Sequence, residues 1–148
     1  MLQQFYPAPP AHNFKYELNK DMHFAAAHFV PHHTAGKCQE MHGHTYFVNV
    51  TVAGNALDYA GFLVNFQKLK EVVHKRYDHS VMNDHSEFSI DIPSTELVAK
   101  NIWVNVQEML EQEGYGAQCL QVIVRETPTS YVIFRPDNND WENVRLPF

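Results

Sequence analysis

Between Pro93 and Gly114, the residues Val98, Ile102, Val106 and Leu110 recur at strict four-residue intervals. That is the repeat of an α-helix with one apolar stripe, and such a helix is stable only when the stripe lies on a layer of other apolar side chains. Ser94 or Thr95 stands where a cap is needed, and Gly114 and Gly116 stop the helix. The layer beneath it is legible on both sides. From Asp21 to Val30, Phe24, Ala26 and His28 share one parity while Ala25, Ala27 and Phe29 share the other; this is a strand covered on both faces, ended by Pro31. His44 to Ala53 sets Val48, Val50 and Val52 on one face and Thr45, Phe47, Asn49 and Thr51 on the other. Beyond the helix, Leu120 to Glu126 and Tyr131 to Arg135 read as two strands joined by the turn residues Pro128 and Thr129.

A first helix starts at Asn65, a plausible N-cap, carries Phe66, Leu69, Val73 and Tyr77 on one face, and ends near Asp78. The order ββααββ predicts an α+β domain, a four-stranded antiparallel sheet with two helices on one face. Its other face and its edges call for a partner subunit. At 148 residues, 45% of them hydrophobic, the chain can bury one core and not two, so 1–148 reads as a single domain. Residues 1–19, with Pro7, Pro9 and Pro10, are expected as an irregular N-terminal arm.

The formal net charge of -6 provides no basic surface for nucleic acid or an anionic membrane. A small molecule is the expected partner. No stretch is long and apolar enough to cross a bilayer, and Met1 to Asn13 lacks the regions of a signal peptide, so a cytoplasmic location is expected. Cys38 and Cys119 make no disulfide framework and are expected as thiols.

Ten histidines are the oddity of the composition. His42 and His44, separated by Gly43, point to one side of an extended chain. His28 ends the preceding strand; if the two strands pair antiparallel, three neutral nitrogens converge at roughly 2.0–2.1 Å from a zinc ion with a fourth position open, the pattern of a catalytic rather than a structural site. His32 and His33 read as solvated loop residues that can swap into the set. Cys38 lies in the loop from Pro31 to Met41, four residues before His42, and three readings stand open for it: a fourth zinc ligand, a free base or nucleophile, or a buried thiol. Asp78 and His79 lie where the first helix runs out, as a carboxylate orienting an acid or base, or as an ordinary helix-end pair. Glu126 continues the apolar face of Leu120, Val122 and Val124 and needs a partner, either a salt bridge or the paired N–H groups of a heterocycle. Trp103 and Trp141 read as packing residues.

Taken together, Phe24-Ala25-Ala26-Ala27-His28, Cys38-x-x-x-His42-Gly43-His44, Asp78-His79-Ser80-x-x-Asn83, Pro93-Ser94-Thr95-Glu96 and Val124-Arg125-Glu126-Thr127 make the sequence resemble the 6-pyruvoyltetrahydropterin synthase family over nearly its whole length. The three-residue gap between Cys38 and His42 resembles the 6-carboxytetrahydropterin synthases of the queuosine pathway, whereas the biopterin-forming branch typically has a longer gap. The resemblance implies a tunnelling fold whose sheets join into barrels by oligomerisation, as a homohexamer of two stacked trimers, with each pocket lined by a neighbouring copy. It implies Zn2+ on His28, His42 and His44, Cys38 as the proton-abstracting thiolate, Asp78 with His79 as the acid/base partner, and Glu126 as pterin anchor helped by Ser94 and Thr95. The implied activity is a carbon-carbon lyase taking 7,8-dihydroneopterin triphosphate to 6-carboxy-5,6,7,8-tetrahydropterin with loss of acetaldehyde and triphosphate. Two rivals use the same residues: an enzyme that stops at 6-pyruvoyltetrahydropterin or acts as a dihydroneopterin-phosphate aldolase, and a non-catalytic zinc- or pterin-binding module in which Cys38 closes the metal shell. Asn65, where many relatives carry Asp, and Ser94, where Thr is frequent, depart from the family pattern without removing a cap or a hydroxyl.

Overall fold

Thirteen residues of one strand, β1 (Tyr16–His28), pair antiparallel with thirteen of the next, β2 (His42–Gly54), from Tyr16 opposite Gly54 to His28 opposite His42. The structure, a computed structural model, describes residues 7–145. Of the arm expected over 1–19, residues 1–6 lie outside the described residues, 7–15 carry no helix or strand, and β1 takes the rest. The early start of β1 has a physical reason. Glu17, Asn19, Lys20 and Asp21 are poor strand formers, but each lies opposite a residue of Asn49–Ala53 in β2, so the ladder is set by the partner rather than by local preference.

The hairpin is present as β4 (Gln118–Thr127) and β5 (Ser130–Phe134), with β4 antiparallel to β2. The sheet differs from the expected four antiparallel strands. Ser80–Val81 forms a short β3 that pairs parallel with Ala26–Ala27, giving a mixed five-stranded sheet ordered β3-β1-β2-β4-β5. Two residues carry no legible strand pattern; the pairing arises because the segment leaving the first helix runs along the edge of β1. No described strand covers the outer side of β5 or the first half of β1.

The first helix, α1 (Phe66–Lys70), starts on Asn65, whose side chain accepts from the Gln67 N–H at 2.8 Å, and continues through a π turn (Glu71–Lys75). Ser94 caps α2 (Thr95–Glu113) by accepting from the Leu97 N–H at 3.2 Å, and Gly114 closes it at φ +78°, a left-handed conformation that suits glycine. The apolar stripes of both helices meet one sheet face, burying Phe24, Val48, Val50, Val52, Leu69, Val73, Ile102, Val106, Val122 and Val124 in one core. A third helix, α3 (Asn138–Arg145), was not legible in its polar sequence; Trp141 anchors it, set edge-on to Trp103 with ring centres 5.1 Å apart. At the bulge where Leu120 has no partner in β2, α2 satisfies the backbone of β4: Gln107 Oε1 accepts from the Cys119 N–H and Trp103 Nε1 donates to the Cys119 carbonyl, both at 2.8 Å. On the opposite sheet face polar side chains bond across strands, Thr51 to Asn19 at 2.7 Å and Asn49 to Asp21 at 3.0 Å.

Ile102 is fully buried between α2 and the sheet. Truncation to alanine removes its packing and leaves a cavity, so Ile102→Ala is expected to cost about 2–5 kcal/mol, read as a lower urea midpoint with an unchanged slope.

Candidate metal centre

The register that opposes His28 to His42 also opposes Ala26 to His44. Alternation puts His42 and His44 on one side of β2, and the antiparallel pairing brings His28 between them. The ring centres lie 4.5 Å (His28 to His42), 5.1 Å (His28 to His44) and 4.8 Å (His42 to His44) apart. β4 adds a fourth group from the other side of β2. Ligand atoms of His28, His42, His44 and Glu126 all lie within 4.8 Å of one another, the one such group among the described residues.

Backbone carbonyls orient two of the rings. His28 Nδ1 is 2.7 Å from the Pro93 oxygen and His42 Nδ1 is 2.7 Å from the Glu40 oxygen. A nitrogen facing a carbonyl carries the hydrogen, so Nε2 of each neutral ring keeps its lone pair for the cluster, as metal-bound histidines do. The Nε2 atoms of His28 and His44 are buried without a well-directed hydrogen bond. Their near polar neighbour is Glu126 Oε1, at 3.3 and 2.8 Å. Converging buried lone pairs are costly unless a proton or a cation lies between them.

The charges within the group show that competition. Glu126 is held down to about 2 chiefly by the adjoining His28 imidazole, with burial opposing and with Thr95 and the charge of His44 adding to the shift. Thr95 Oγ1 donates to Glu126 Oε2 at 2.5 Å. Burial lowers the basicity of His28, but the Glu126 carboxylate and Pro93 carbonyl outweigh it and the net shift is upward. His44 shifts downward: burial dominates, and the charges of His28 and His42 add to it against the pull of Glu126. The one carboxylate thus raises the basicity of His28 without doing so for His44. A divalent cation would accept the three imidazole lone pairs at once, with Glu126 beside it as a neighbouring carboxylate.

Sequence reasoning missed Tyr46. Its ring packs against His28 and His44 at 5.8 and 5.6 Å, and its buried hydroxyl has no hydrogen-bond partner. The shared parity of His42, His44 and Tyr46 was the available signal. Glu126, expected as an anchor for a heterocycle, is found among the histidines.

Cys38 is exposed, so the buried thiol is Cys119 alone. It lies in the 3₁₀ segment His33–Gln39, and its carbonyl accepts from the Val30 N–H at 2.7 Å, folding the loop back over the end of β1. Its sulfur is outside the converging group, where the fourth atom is a carboxylate oxygen. His32 and His33 stack on each other at 4.4 Å in the exposed loop. Ser94 spends its hydroxyl on the helix cap, leaving Thr95 as the one that reaches Glu126.

Asp78 and His79 are not brought into the histidine group. They lie at the outer edge of β1, where Asp78 Oδ1 accepts from the Ala25 N–H at 2.9 Å and the His79 N–H donates to the Ala25 carbonyl at 2.7 Å. The Ala25 N–H, followed by the charges of His79, His74 and His23, holds the Asp78 carboxyl below its ordinary range. His79 has φ +58°, uncommon for a residue with a side chain, and its imidazole is 86% exposed.

The pattern of the 6-pyruvoyl tetrahydropterin synthase family matches residues 17–137. A 6-carboxy-5,6,7,8-tetrahydropterin synthase of Bacillus subtilis is 55% identical over 140 residues, which is 92% of this chain and 95% of that protein. A 6-pyruvoyl tetrahydrobiopterin synthase of Drosophila melanogaster is 34% identical over 107 residues, 68% of this chain and 62% of that one. The solved 6-pyruvoyl tetrahydropterin synthase of Caenorhabditis elegans superposes with a TM-score of 0.67 over 82% of this chain and 96% of its own, a likeness of fold at 22% identity. The matched span holds both histidine strands, the helix start that orients Glu126 and the strand that carries it, and on that span the chain belongs to the 6-pyruvoyl tetrahydropterin synthase family of enzymes.

Proposed function

We propose that this protein is a zinc-dependent 6-carboxy-5,6,7,8-tetrahydropterin synthase, a carbon-carbon lyase of queuosine and 7-deazapurine biosynthesis. It converts 7,8-dihydroneopterin triphosphate with release of acetaldehyde and triphosphate. The observation that carries this reading is the 55% identity to the Bacillus subtilis synthase across nearly all of both chains, joined to the converging His28, His42 and His44. These three imidazoles are the residues that would hold the zinc ion. When bound there, zinc supplies a Lewis acid that lowers the cost of negative charge on substrate side-chain oxygens.

The protein's own groups divide the remaining work. Cys38, exposed on the loop beside the end of β1, removes a carbon-bound proton. Glu126, with its second oxygen fixed by Thr95, can accept paired N–H groups from the aminopyrimidinone edge of the pterin. With the histidine lone pairs engaged by the cation, its Oε1 is free to turn to the substrate. Ser94 supports the same region as the cap of α2.

Asp78 and His79 act as the acid/base pair and come from a neighbouring copy. Their position on the β1 edge, the exposure of His79 and the uncovered edges of β1 and β5 support a homohexamer built as a dimer of trimers, with barrels closed by oligomerisation. The enzyme works in the cytoplasm; no helix among the described residues is long and apolar enough to cross a membrane. Small-molecule chemistry without a nucleic-acid or membrane partner agrees with the net charge of -6.

A synthase that stops at 6-pyruvoyltetrahydropterin is the second reading, favoured by the Drosophila relative. Incubation with dihydroneopterin triphosphate separates the two: carboxypterin and acetaldehyde are expected, dependent on metal and restored by zinc after chelation, whereas pyruvoylpterin without acetaldehyde supports the second. Cys38→Ala is expected to lose turnover by about 10²-fold or more while keeping about one zinc per chain; loss of the metal instead identifies Cys38 as a structural ligand. Glu126→Ala is expected to weaken substrate binding by about tenfold or more, measured by titration with the pterin, and normal binding by that variant removes the anchoring role.

A further inference from the structure

The π turn within the first helix places His74 against the edge of β1. His74 Nδ1 lies 2.5 Å from the His23 carbonyl oxygen, and Nε2 lies 3.6 Å from Asp78 Oδ2. His79 Nε2 approaches the same carboxylate oxygen at 3.4 Å. Asp78 is therefore held on one oxygen by the Ala25 N–H, while two imidazoles approach the other within ion-pair distance and the His23 ring lies next to His74 at 5.7 Å. His74 is fixed by its bond to a strand carbonyl and is less exposed than His79, 36% against 86% for the side chains.

From this geometry we infer that His74 is a positioning residue for the Asp78–His79 pair. With its Nδ1–H given to the strand carbonyl, the ring can hold Oδ2 through Nε2 only when it carries both hydrogens, and it is in that form that His74 keeps Oδ2 turned to His79. The inference rests on the reading of Asp78 and His79 as the acid/base pair, and it adds a third member that touches neither substrate nor metal. An acid or base held by a carboxylate keeps its orientation only as well as the carboxylate keeps its own, so support one residue further back changes turnover without changing substrate affinity. The π turn fits such a role, since an inserted residue in a helix re-aims side chains and is found often at functional sites. A bland role competes with it. The edge of β1 has carbonyls without strand partners, and capping the His23 oxygen would by itself account for an imidazole there.

Two amide substitutions separate these roles, because an asparagine amide takes the place of Nδ1 and a glutamine amide that of Nε2. His74→Gln keeps a donor toward Asp78 and gives up the strand carbonyl; His74→Asn does the reverse. If His74 positions Asp78, kcat on dihydroneopterin triphosphate falls about tenfold in His74→Asn and stays within about threefold of the parent in His74→Gln. KM and zinc content should be unchanged in both. Retention of kcat by the Asn variant, or a loss in the Gln variant equal to that of Asn, overturns the inference and leaves His74 as an edge cap whose loss shows in the melting temperature. Should the Asn variant fail to fold, the Gln variant still decides: a folded, zinc-loaded Gln protein with kcat down by more than about threefold sinks the proposal. His79→Gln, measured alongside, tests the reading underneath. If it is fully active, the acid/base assignment falls and the inference falls with it; if it is inactive while His74→Asn is not impaired, the inference alone falls.

Discussion

Everything at the candidate site depends on the pairing of β1 with β2. The two strands meet over their full length, and the last pair of the ladder is His28 with His42. A slip by one residue would turn His28, or both histidines of β2, to the opposite face, because strand side chains alternate. The register is held against that slip by the core. Phe24 stacks on Tyr46 at 5.0 Å, and the valines of β2 face the stripes of α1 and α2. Burial of those side chains, at about 1.5–3 kcal/mol each, is the force that keeps three imidazoles on one side of the sheet. The polar centre is thus placed by apolar packing some distance below it.

The second constraint is the start of α2. One short run, Pro93-Ser94-Thr95, supplies the carbonyl that orients His28, the hydroxyl that caps the helix and the hydroxyl that orients Glu126. A helix N-terminus must satisfy free N–H groups, and this one does so with Ser94 while its neighbours on either side serve the site. The edge of β1 is treated in a comparable way. His74, Asp78 and His79 bond to the backbone of His23 and Ala25, β3 pairs with Ala26–Ala27, and Asn83 bonds both the N–H and the carbonyl of Phe29 at 3.0 Å. Side chains there continue a ladder that would otherwise stop. Groups that seal a sheet edge are also the groups assigned to acid/base chemistry, and both tasks require a fixed position.

Strong local patterns were legible: the four-residue stripe of α2, the valine alternation of β2, the Asn65 and Ser94 caps, the hairpin and the His-x-His pair all stand where the sequence put them. The failures share a cause. The polar half of β1, the two-residue β3 and the polar α3 are held by partners distant in sequence, β2, the edge of β1 and Trp103. Local propensity carries no record of such partners. Tyr46 was passed over because a tyrosine in a strand usually only packs, and only its neighbours reveal an unpartnered hydroxyl beside histidines.

The sequence by itself determined the elements, the one apolar face of each, and the residue types able to bind a cation or move a proton. Those follow from periodicity and from side-chain chemistry, which are local. Tertiary structure alone decided which of them meet. It joined Glu126 to the three histidines, kept the Cys38 sulfur out of that group, and set Asp78 and His79 on the strand edge away from it. Convergence is a matter of strand register and of the path of the chain between strands, and both are settled by the packing of the whole core rather than by any segment of it.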